Sequence, residues 1–281
     1  MSIPNEILQR AADCLRKQQY ITFLVGAGLS ADSGIPTFRG KDGYWVNGSV
    51  NYKAEDIGTL HMFVVNPQEV WKWYLYRRGV TTAAQPNKGH FALKAIEDLI
   101  GDRFALVSQN VDGLHKRAGS SRERTYLIHG DFDYVRCSRE CSDEWYPFPD
   151  GISMVNRDKN VITDAEWALL TCPKCGELLR PNVLWFDEYY NETDYKLFSV
   201  LKVMENTGLV ITLGTSGATG LPARMVDMGL EKQALVVEVN LDKTRLTDLL
   251  NLRSNGMIVK MGTSEFLEEF RDRLAEMVEG A

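Results

Sequence analysis

A loop rich in glycine follows the first strongly apolar run of the chain. Residues 26–40 read GAGLSADSGIPTFRG and come directly after the apolar residues 21–25. Helix and strand both stop here, because glycine loses the most backbone entropy on ordering and proline lacks an amide donor. Small residues between a strand and a helix let a phosphate approach the main chain. Farther along, Arg39 suits a phosphate and Phe38 suits an aromatic ring. We therefore predict a nucleotide-binding loop, with an ordinary tight turn as the alternative for GAG alone.

A second loop contains an amide and a carboxylate. Asn110 and Asp112 follow the run FALVS at residues 104–108. Open α/β sheets bind their ligands at the carboxyl ends of the strands, so both side chains are candidates for ligand contacts. An Asx turn before Gly113 is the alternative that needs no ligand. Burying a carboxylate only to form such a turn is costly, which favours a function.

Four of the five cysteines form two close pairs. Cys137 and Cys141 have three residues between them, Cys172 and Cys175 have two, and thirty residues separate the pairs. Two such pairs complete a tetrahedral thiolate shell around zinc, and a shell with no position for water is structural. Four unrelated core cysteines are the alternative. Cys14 stands apart and is expected to pack on the N-terminal helix. This cysteine usage suits a reducing compartment.

Two further features have both a chemical and a structural interpretation. His129 follows apolar residues and precedes a glycine; histidine titrates near neutral pH and suits proton transfer, although a lone histidine in this setting is often a packed core group. Tyr74 and Arg77 are three residues apart within WKWYLYRRG, so on a helix they share a face. A solvated arginine near a helix end, with Gly79 as the stop signal, is the alternative.

Strands and helices alternate along the chain, as in a parallel sheet with helices on both faces. The fold class is therefore predicted to be α/β and Rossmann-like. An amphipathic helix is predicted near the N-terminus, with Ile7, Leu8 and Ala11 on one face. The predicted strands are residues 20–25, 104–108, 209–213, 234–239 and 257–260, and the other predicted helices are residues 67–78, 88–100, 193–206 and 264–278.

Two stretches interrupt this alternation. Residues 41–85 are aromatic and helix-leaning, and residues 131–185 contain the paired cysteines. We predict that they form a smaller lobe, made of a helical insertion and a zinc-binding module. The larger lobe then comprises residues 1–40, 86–130 and 186–281, and the whole chain forms one catalytic domain.

Composition limits the class of protein. The chain has 281 residues, 44% of them hydrophobic, which suffices for a sizeable core, and a net charge of -6. A net negative charge does not indicate the positively charged surface that binds nucleic acid. The N-terminus lacks a signal peptide's apolar region, and no apolar run approaches the roughly 18 residues of a membrane span. A soluble, cytoplasmic protein with no membrane or nucleic-acid partner is expected.

The glycine-rich loop resembles the cofactor loop of the sirtuins, the NAD-dependent protein deacylases, which have GAG and serine followed by SGIPxFRG. The similarity continues in the same order to residue 262 or so, and thus covers nearly the whole chain. The further matching strings are QNVDGLH at 109–115, HG at 129–130, the two cysteine pairs, RPNVLWFDE at 180–188, GTS at 214–216 and VN at 239–240.

The resemblance implies a reaction and roles for these residues. An acyl-lysine oxygen attacks C1′ of the nicotinamide ribose, nicotinamide leaves, and O-acyl-ADP-ribose forms, so NAD is consumed as a co-substrate. His129 matches the base that takes a proton from the ribose hydroxyls. By the same resemblance, Asp112 holds the nicotinamide carboxamide, Asn110 lies near the reacting ribose, and Gln109 contacts the ribose hydroxyls. His90 and His115 match positions that support packing.

The remaining site residues are implied in the same way. An acylated protein lysine or peptide is the implied partner, the four paired cysteines are the implied ligands of one structural zinc, and the oligomeric state stays open. Val183 and Phe186 match residues that line the lysine channel. The implied cofactor-binding residues are Gly26, Ala27, Gly28, Ser33, Ile35, Pro36, Phe38, Arg39, Gln109, Asn110, Val111, Asp112, Gly214, Thr215, Ser216, Asn240 and Met261.

The acyl group is indicated by one motif. A subset of sirtuins has Tyr-x-x-Arg at the position of Tyr74 and Arg77, where the hydroxyl and guanidinium hold the distal carboxylate of succinyl-, malonyl- or glutaryl-lysine. A forked guanidinium matches a carboxylate well. The resemblance therefore favours acidic acyl groups, beside acetyl, as the substrates.

The chain departs from the family pattern in three places. The first cysteine pair has one residue more, and the loop between the pairs exceeds the usual spacing of about 15 to 20 residues. Asp187 replaces the glycine that many relatives have before the glutamate. The segment GTSGATGLPA has one residue more than usual. The last two changes affect the walls between which a substrate peptide would add as a strand.

Other functions use the same pocket. If water or a protein side chain attacks C1′ in place of an acyl oxygen, the protein is an NAD hydrolase or an ADP-ribosyltransferase. A non-catalytic NAD-binding scaffold is disfavoured, because no expected residue of the reacting centre is missing. Hydride transfer is disfavoured, since the loop continues into SGIPTFRG instead of the G-x-G-x-x-G helix of dehydrogenases.

Overall fold

The computed structural model describes residues 2–37, 53–154 and 161–279. Within these residues the chain forms one large parallel sheet, one small antiparallel sheet and the helices that cover them. The strands are β1 Tyr20–Val25, β2 Phe104–Ser108, β3 Thr125–Leu127, β4 Gly130–Cys137, β5 Trp145–Pro147, β6 Leu179–Val183, β7 Thr207–Leu213, β8 Leu235–Val239 and β9 Gly256–Val259.

The helices range from single turns to seventeen residues, and one 3₁₀ turn lies at Gly101–Arg103. They are α1 Asn5–Arg16, α2 Ala27–Ala31, α3 Ala54–Ile57, α4 Leu60–Val65, α5 Pro67–Ala83, α6 Lys88–Ile100, α7 Leu114–Arg117, α8 Asp164–Leu169, α9 Glu192–Tyr195, α10 Leu197–Glu205, α11 Gly220–Glu231, α12 Arg245–Leu250 and α13 Thr263–Glu279.

The large sheet has the strand order β3-β2-β1-β7-β8-β9, and all its strands are parallel. Every residue of β2, β7 and β8 is buried, which is why these strands read as continuous apolar runs. The order reverses between β1 and β7, and a crevice opens at the carboxyl ends of two strands where such a reversal occurs. Val25 and Leu213, paired in register, end the two strands there.

Helices cover both faces of this sheet. On one face, α1, α6 and α13 bury alternate strand residues such as Phe23 and Ile211. On the other face, α10, α11 and α12 bury the residues between them, such as Leu24 and Val210. Successive side chains of each strand point to opposite faces of the sheet, so each strand contributes to both of these separate cores. The predicted α/β Rossmann-like class is confirmed.

The small sheet has the order β5-β4-β6 and is antiparallel. A separate aromatic core packs against it and includes Trp71, Trp73 and Tyr74 of α5 together with Trp185. The helical residues 54–83 and the cysteine-bearing strands therefore share one core, which explains the aromatic run WKWYLYRR.

Three local predictions differ from the structure. The helix expected over residues 193–206 is two helices, because Lys196 adopts a left-handed conformation with φ of 57°. The Glu192 carboxylate then accepts hydrogen bonds from the amides of Phe198 and Ser199 and caps α10. Helix α5 continues through Gly79 to Ala83, so that glycine is not a stop signal. Strand β3 was not predicted, because three residues are too short for a periodic signal.

No helix among residues 2–37, 53–154 and 161–279 combines the length and apolar character that crossing a membrane requires.

Candidate functional site

Two glycine-containing loops lie back to back where β1 and β7 end. The amide of Gly28 donates to the carbonyl of Gly214 at 2.9 Å, and the amide of Gly26 donates to Leu213 at 2.9 Å. A Cβ on Gly28 would stand 2.6 Å from the Cα of Gly214, and a Cβ on Gly26 would stand 2.6 Å from the Cβ of Thr215. The glycines are therefore required by the contact between the loops, in addition to any ligand. Ala27 lies between them and is half-buried.

A hydrogen-bonded network lies beneath this pair of loops. The Asn110 amide nitrogen donates to the Gly26 carbonyl at 3.0 Å and to the Ser30 hydroxyl at 3.1 Å. Ser30 in turn donates to the Asp112 carboxylate at 2.7 Å. The other Asp112 oxygen accepts the Leu114 amide at 2.9 Å, which is the Asx turn weighed above. One oxygen of Asp112 therefore forms an Asx turn, and the other is held by Ser30.

Gln109 connects three strand ends. Its side-chain nitrogen donates to the Val25 carbonyl at 3.2 Å and to the Thr215 hydroxyl at 2.8 Å. Its side-chain oxygen accepts the Thr219 hydroxyl at 3.4 Å. Thr215 also accepts the amide of Gly217, and its carbonyl lies 3.4 Å from the Asn240 amide nitrogen at the end of β8. These contacts fix the loop after β7 on the loop after β2.

His129 lies at the same edge, after β3. Its Nδ1 is 3.0 Å from the Gln109 carbonyl oxygen and its Nε2 is 2.9 Å from the Tyr190 hydroxyl. Desolvation lowers the pKa of His129 to about 4, against the hydrogen bond to Gln109, which raises it. The imidazole is therefore neutral at physiological pH and able to accept a proton. The residue still has some solvent-accessible surface.

Gly130 fixes the backbone beside this histidine. Its φ is 94°, and a Cβ there would stand 2.0 Å from the Asn182 carbonyl oxygen. The His129 carbonyl accepts the Leu184 amide at 3.0 Å, and Gly130 pairs with Val183. The glycine is thus needed for the close pairing of β4 with β6, which holds His129 next to the segment after β6.

That segment contains the predicted channel residues. Val183 is buried at the end of β6, whereas Phe186 is 51% exposed. Asp187, which departs from the family pattern, accepts the amides of Leu60 at 2.7 Å and His61 at 3.0 Å. It thereby caps the first turn of α4, where amides have no partner within the helix. This local role explains the substitution.

Tyr74 and Arg77 share one face of α5, as their spacing predicts. Both are buried, with 4% and 5% exposure. The Arg77 guanidinium carbon lies 4.5 Å from the ring centroid of Trp73 and 5.3 Å from that of Phe132, in cation–π geometry. Burial raises the pKa of Tyr74 to about 12, so its hydroxyl keeps its proton. The solvated-arginine alternative is wrong.

The four paired cysteines converge. Their Sγ atoms all lie within 4.8 Å of one another. Cys137 and Cys175 have their sulfurs 3.5 Å apart, and Cys141 and Cys172 have theirs 3.6 Å apart. Zinc–sulfur bonds of about 2.3 Å in a tetrahedron require sulfur separations of about 3.8 Å, whereas a disulfide requires about 2.05 Å. The quartet therefore fits a structural zinc, which the additional residue between Cys137 and Cys141 does not prevent.

The other predicted residues take varied positions. Ser33 accepts the Asn87 side chain at 3.0 Å, and Ile35 packs on Leu114. The Met261 side chain is 3% exposed and belongs to the main core, so it does not face an open cleft. Pro36, Val111 and Ser216 are half-buried in the loops after α2, β2 and β7. Phe38 and Arg39 lie outside the described residues.

Three residues that the sequence did not single out also lie in this site. Ser30 links Asn110 to Asp112, Thr219 contacts Gln109, and Tyr190 contacts His129. Ser30 was present in the glycine-rich string, where its place within α2 was the available signal. Nothing in the sequence distinguishes Tyr190 from Tyr189, since only the fold shows which of them faces inward.

Comparison with known proteins agrees with this geometry. The chain is 39% identical over 241 residues to the NAD-dependent protein deacylase of Leptospira interrogans, covering 85% of this chain and 89% of that protein. It is 33% identical to the NAD-dependent protein deacylase of Thermococcus kodakarensis, covering 96% of this chain and 98% of that protein.

Solved structures agree in fold. An ADP-ribose complex of a mutant Sir2 homologue superimposes with a TM-score of 0.80 at 30% identity, covering 99% of this chain and 98% of that chain. A Sir2 homologue bound to NAD superimposes with a TM-score of 0.79 at 30% identity, covering 98% and 95%. The model of the Sir2 family matches residues 26–219. The chain is therefore a member of the Sir2 family.

Proposed function

We propose that this protein is an NAD-dependent protein-lysine deacylase that releases nicotinamide and O-acyl-ADP-ribose. The observation that carries the proposal is a neutral imidazole, His129, held at the carboxyl edge of a Rossmann-like sheet by the Gln109 carbonyl. Relatives named NAD-dependent protein deacylase support it. So does a complex of Sir2 with a p53 peptide and NAD⁺, which superimposes with a TM-score of 0.71 at 26% identity over 98% of this chain and 99% of that one.

The residues present fit the dinucleotide. The loops at Gly28 and Gly214 are too close to each other for a side chain to fit between them. The backbone is therefore partly exposed where the strand order reverses, and doubly wound sheets bind nucleotides at this position. When bound, NAD supplies a ribose carbon from which nicotinamide can leave. Asn110 and Asp112 are held to 8% exposure each beside this edge, and their network with Ser30 fixes their orientation for the nicotinamide end.

His129 is proposed as the base for the ribose hydroxyls. The Gln109 carbonyl can only accept, so Nδ1 carries the proton and Nε2 presents the lone pair. A base with a pKa lowered to about 4 is unprotonated over the whole neutral range. The charge that develops on the ring is stabilised by the carbonyl at Nδ1, in the way that an oriented acceptor stabilises an imidazolium.

We propose acidic acyl groups among the substrates. Arg77 and Tyr74 lie within an aromatic core that includes Phe132, whose backbone follows His129 by three residues. A buried guanidinium and a protonated phenol offer a charge and a donor for a terminal carboxylate. Val183, which is buried, and Phe186, which is exposed, form part of the segment beside His129 and are proposed to line the lysine channel.

One experiment tests both parts. Mass spectrometry would follow NAD turnover with acetyl-, succinyl- and unmodified lysine peptides, for the wild type, His129→Ala and Arg77→Met. We expect His129→Ala to abolish deacylation while NAD still binds, and Arg77→Met to reduce desuccinylation far more than deacetylation. Arg78→Met is the matched control, because Arg78 is on the same helix but pairs with Asp133 at 3.0 Å.

The outcomes separate the alternatives. Full activity of His129→Ala would contradict its role as the base. Equal losses for acetyl and succinyl peptides in Arg77→Met would contradict a carboxylate clamp. Consumption of NAD with the unmodified peptide alone would identify a hydrolase or an ADP-ribosyltransferase, not a deacylase.

We further propose a two-lobe division of the single catalytic domain. The larger lobe comprises residues 1–40, 86–130 and 186–281, and the smaller lobe comprises residues 41–85 and 131–185. Separate cores for the two sheets support this division. A cytoplasmic location is also proposed, since four converging thiols suit a reducing compartment.

A further inference from the structure

Tyr190 contacts the base from outside the family motifs. It follows the channel segment, and its hydroxyl oxygen lies 2.9 Å from His129 Nε2, with the two ring centroids 5.9 Å apart. Its ring lies beside the start of α11, 3.8 Å from where a Cβ on Gly220 would stand. Burial raises the pKa of Tyr190 to about 12, against a smaller, opposite effect of the neighbouring Thr219 side chain and Leu221 backbone.

The protons of this contact can be assigned. Because the Gln109 carbonyl accepts from Nδ1, the neutral His129 ring has no proton on Nε2. The Tyr190 hydroxyl is protonated at neutral pH and is therefore the donor. A neutral imidazole nitrogen has a single lone pair, which this hydrogen bond uses.

The same lone pair has to reach a ribose hydroxyl if His129 acts as the base. Two donors cannot share it, so one must replace the other. We propose that Tyr190 is a positioning residue that occupies the acceptor of His129 in the ligand-free enzyme and is displaced when the ribose hydroxyl binds. This inference rests on the proposed function.

The loop with the additional residue provides an alternative partner for the displaced hydroxyl. Thr219, at the end of that loop, lies beside Tyr190 and donates to the Gln109 side chain at 3.4 Å. The tyrosine thus occupies Nε2 of an imidazole that the Gln109 carbonyl already orients, and the binding of NAD has to break one neutral hydrogen bond. That hydrogen bond corresponds to a factor of about 2 to 10 in affinity.

The test compares Tyr190→Phe with Tyr189→Phe, a matched control whose side chain belongs to a residue that is 91% exposed. Calorimetry with NAD alone gives Kd, and steady-state kinetics with a saturating acyl peptide give KM for NAD, kcat and the pH profile. For Tyr190→Phe we expect Kd and KM to fall by about 2- to 10-fold, with kcat within about twofold of the wild type.

The pH profile adds a readout that a purely structural role would not move. A donor on Nε2 stabilises the neutral ring, so its removal should move the acid limb of kcat/KM to higher pH by up to about one unit. Unchanged Kd and an unchanged acid limb, or a raised KM, would overturn the inference. Calorimetry needs no turnover, so a wild type that binds NAD but deacylates no peptide refutes the deacylase proposal separately. A wild type that does not bind NAD refutes both.

Discussion

Acid should destabilise this fold through two buried histidines near the site. His90 and His115 are 0% and 2% exposed, and their ring centroids are 4.9 Å apart. Desolvation lowers the pKa of His90 to about 3, with repulsion from His115 adding to the effect. Desolvation also lowers the pKa of His115 to about 4. Neither ring can be protonated in the folded state until the pH is well below neutral.

The sign and size of the effect follow from proton linkage. As the pH falls below the unfolded-state value of 6.5, the unfolded chain takes up protons that the folded chain does not. The free energy of unfolding then falls by about 1.4 kcal/mol per pH unit for each histidine. Between pH about 7 and about 5 the loss is about 2 kcal/mol for each, or about 4 kcal/mol for the pair. This is a large part of a typical total of about 5 to 15 kcal/mol.

Urea unfolding of the wild type and His115→Phe at these two pH values measures the effect. The variant should lose about 2 kcal/mol less than the wild type on acidification, because one titrating group is gone. Phe104→Leu serves as a control, since it weakens the core at both pH values without changing the proton count. An equal acid-induced loss in His115→Phe and the wild type would refute the assignment of His115 as a buried neutral ring.

Three other predictions follow from the structure. Asp187→Ala should lower the free energy of unfolding by about 0.5 to 2 kcal/mol through loss of the α4 cap, measured by chemical denaturation, while Asp187→Asn should retain part of it. A strong zinc chelator should lower the melting temperature of the wild type and of Cys14→Ser alike, because Cys14 is outside the quartet; an unchanged melting curve would contradict a structural zinc. Gly130→Ala should cost about 3 kcal/mol or more and reduce kcat, because its Cβ would clash with Asn182; calorimetric melting and turnover assays check both effects.

The inner strands of the central sheet were predictable because they are buried on both faces. Runs such as FALVS at β2 and LVITL within β7 are continuous and apolar, and they were identified within two residues of their ends. The break at Lys196 was not predicted, because neither glycine nor proline marks it in the sequence. Only the structure shows that Glu192 caps α10 through the amide of Phe198, six residues later, which is why the helix divides there.

The candidate site divides in a similar way. The cysteine quartet and the glycine loops are local in sequence, so their spacing alone indicated a metal and a tight turn. The sequence did not determine whether Arg77 is buried. Its spacing from Tyr74 places both residues on one face of a helix, but it does not show which part of the protein packs against that face. The aromatic core formed with Phe132 from β4 decided the question.

The sequence by itself determined the family, five of the six strands of the large sheet and the cysteine quartet, because these depend on residue types at short and fixed spacings. Only the tertiary structure decided which atoms meet across long separations. Tyr190 lies 61 positions from His129 along the chain and 2.9 Å from it in space. Such a contact depends on how β4 and β6 pair, and that pairing depends on one glycine with a positive φ at residue 130.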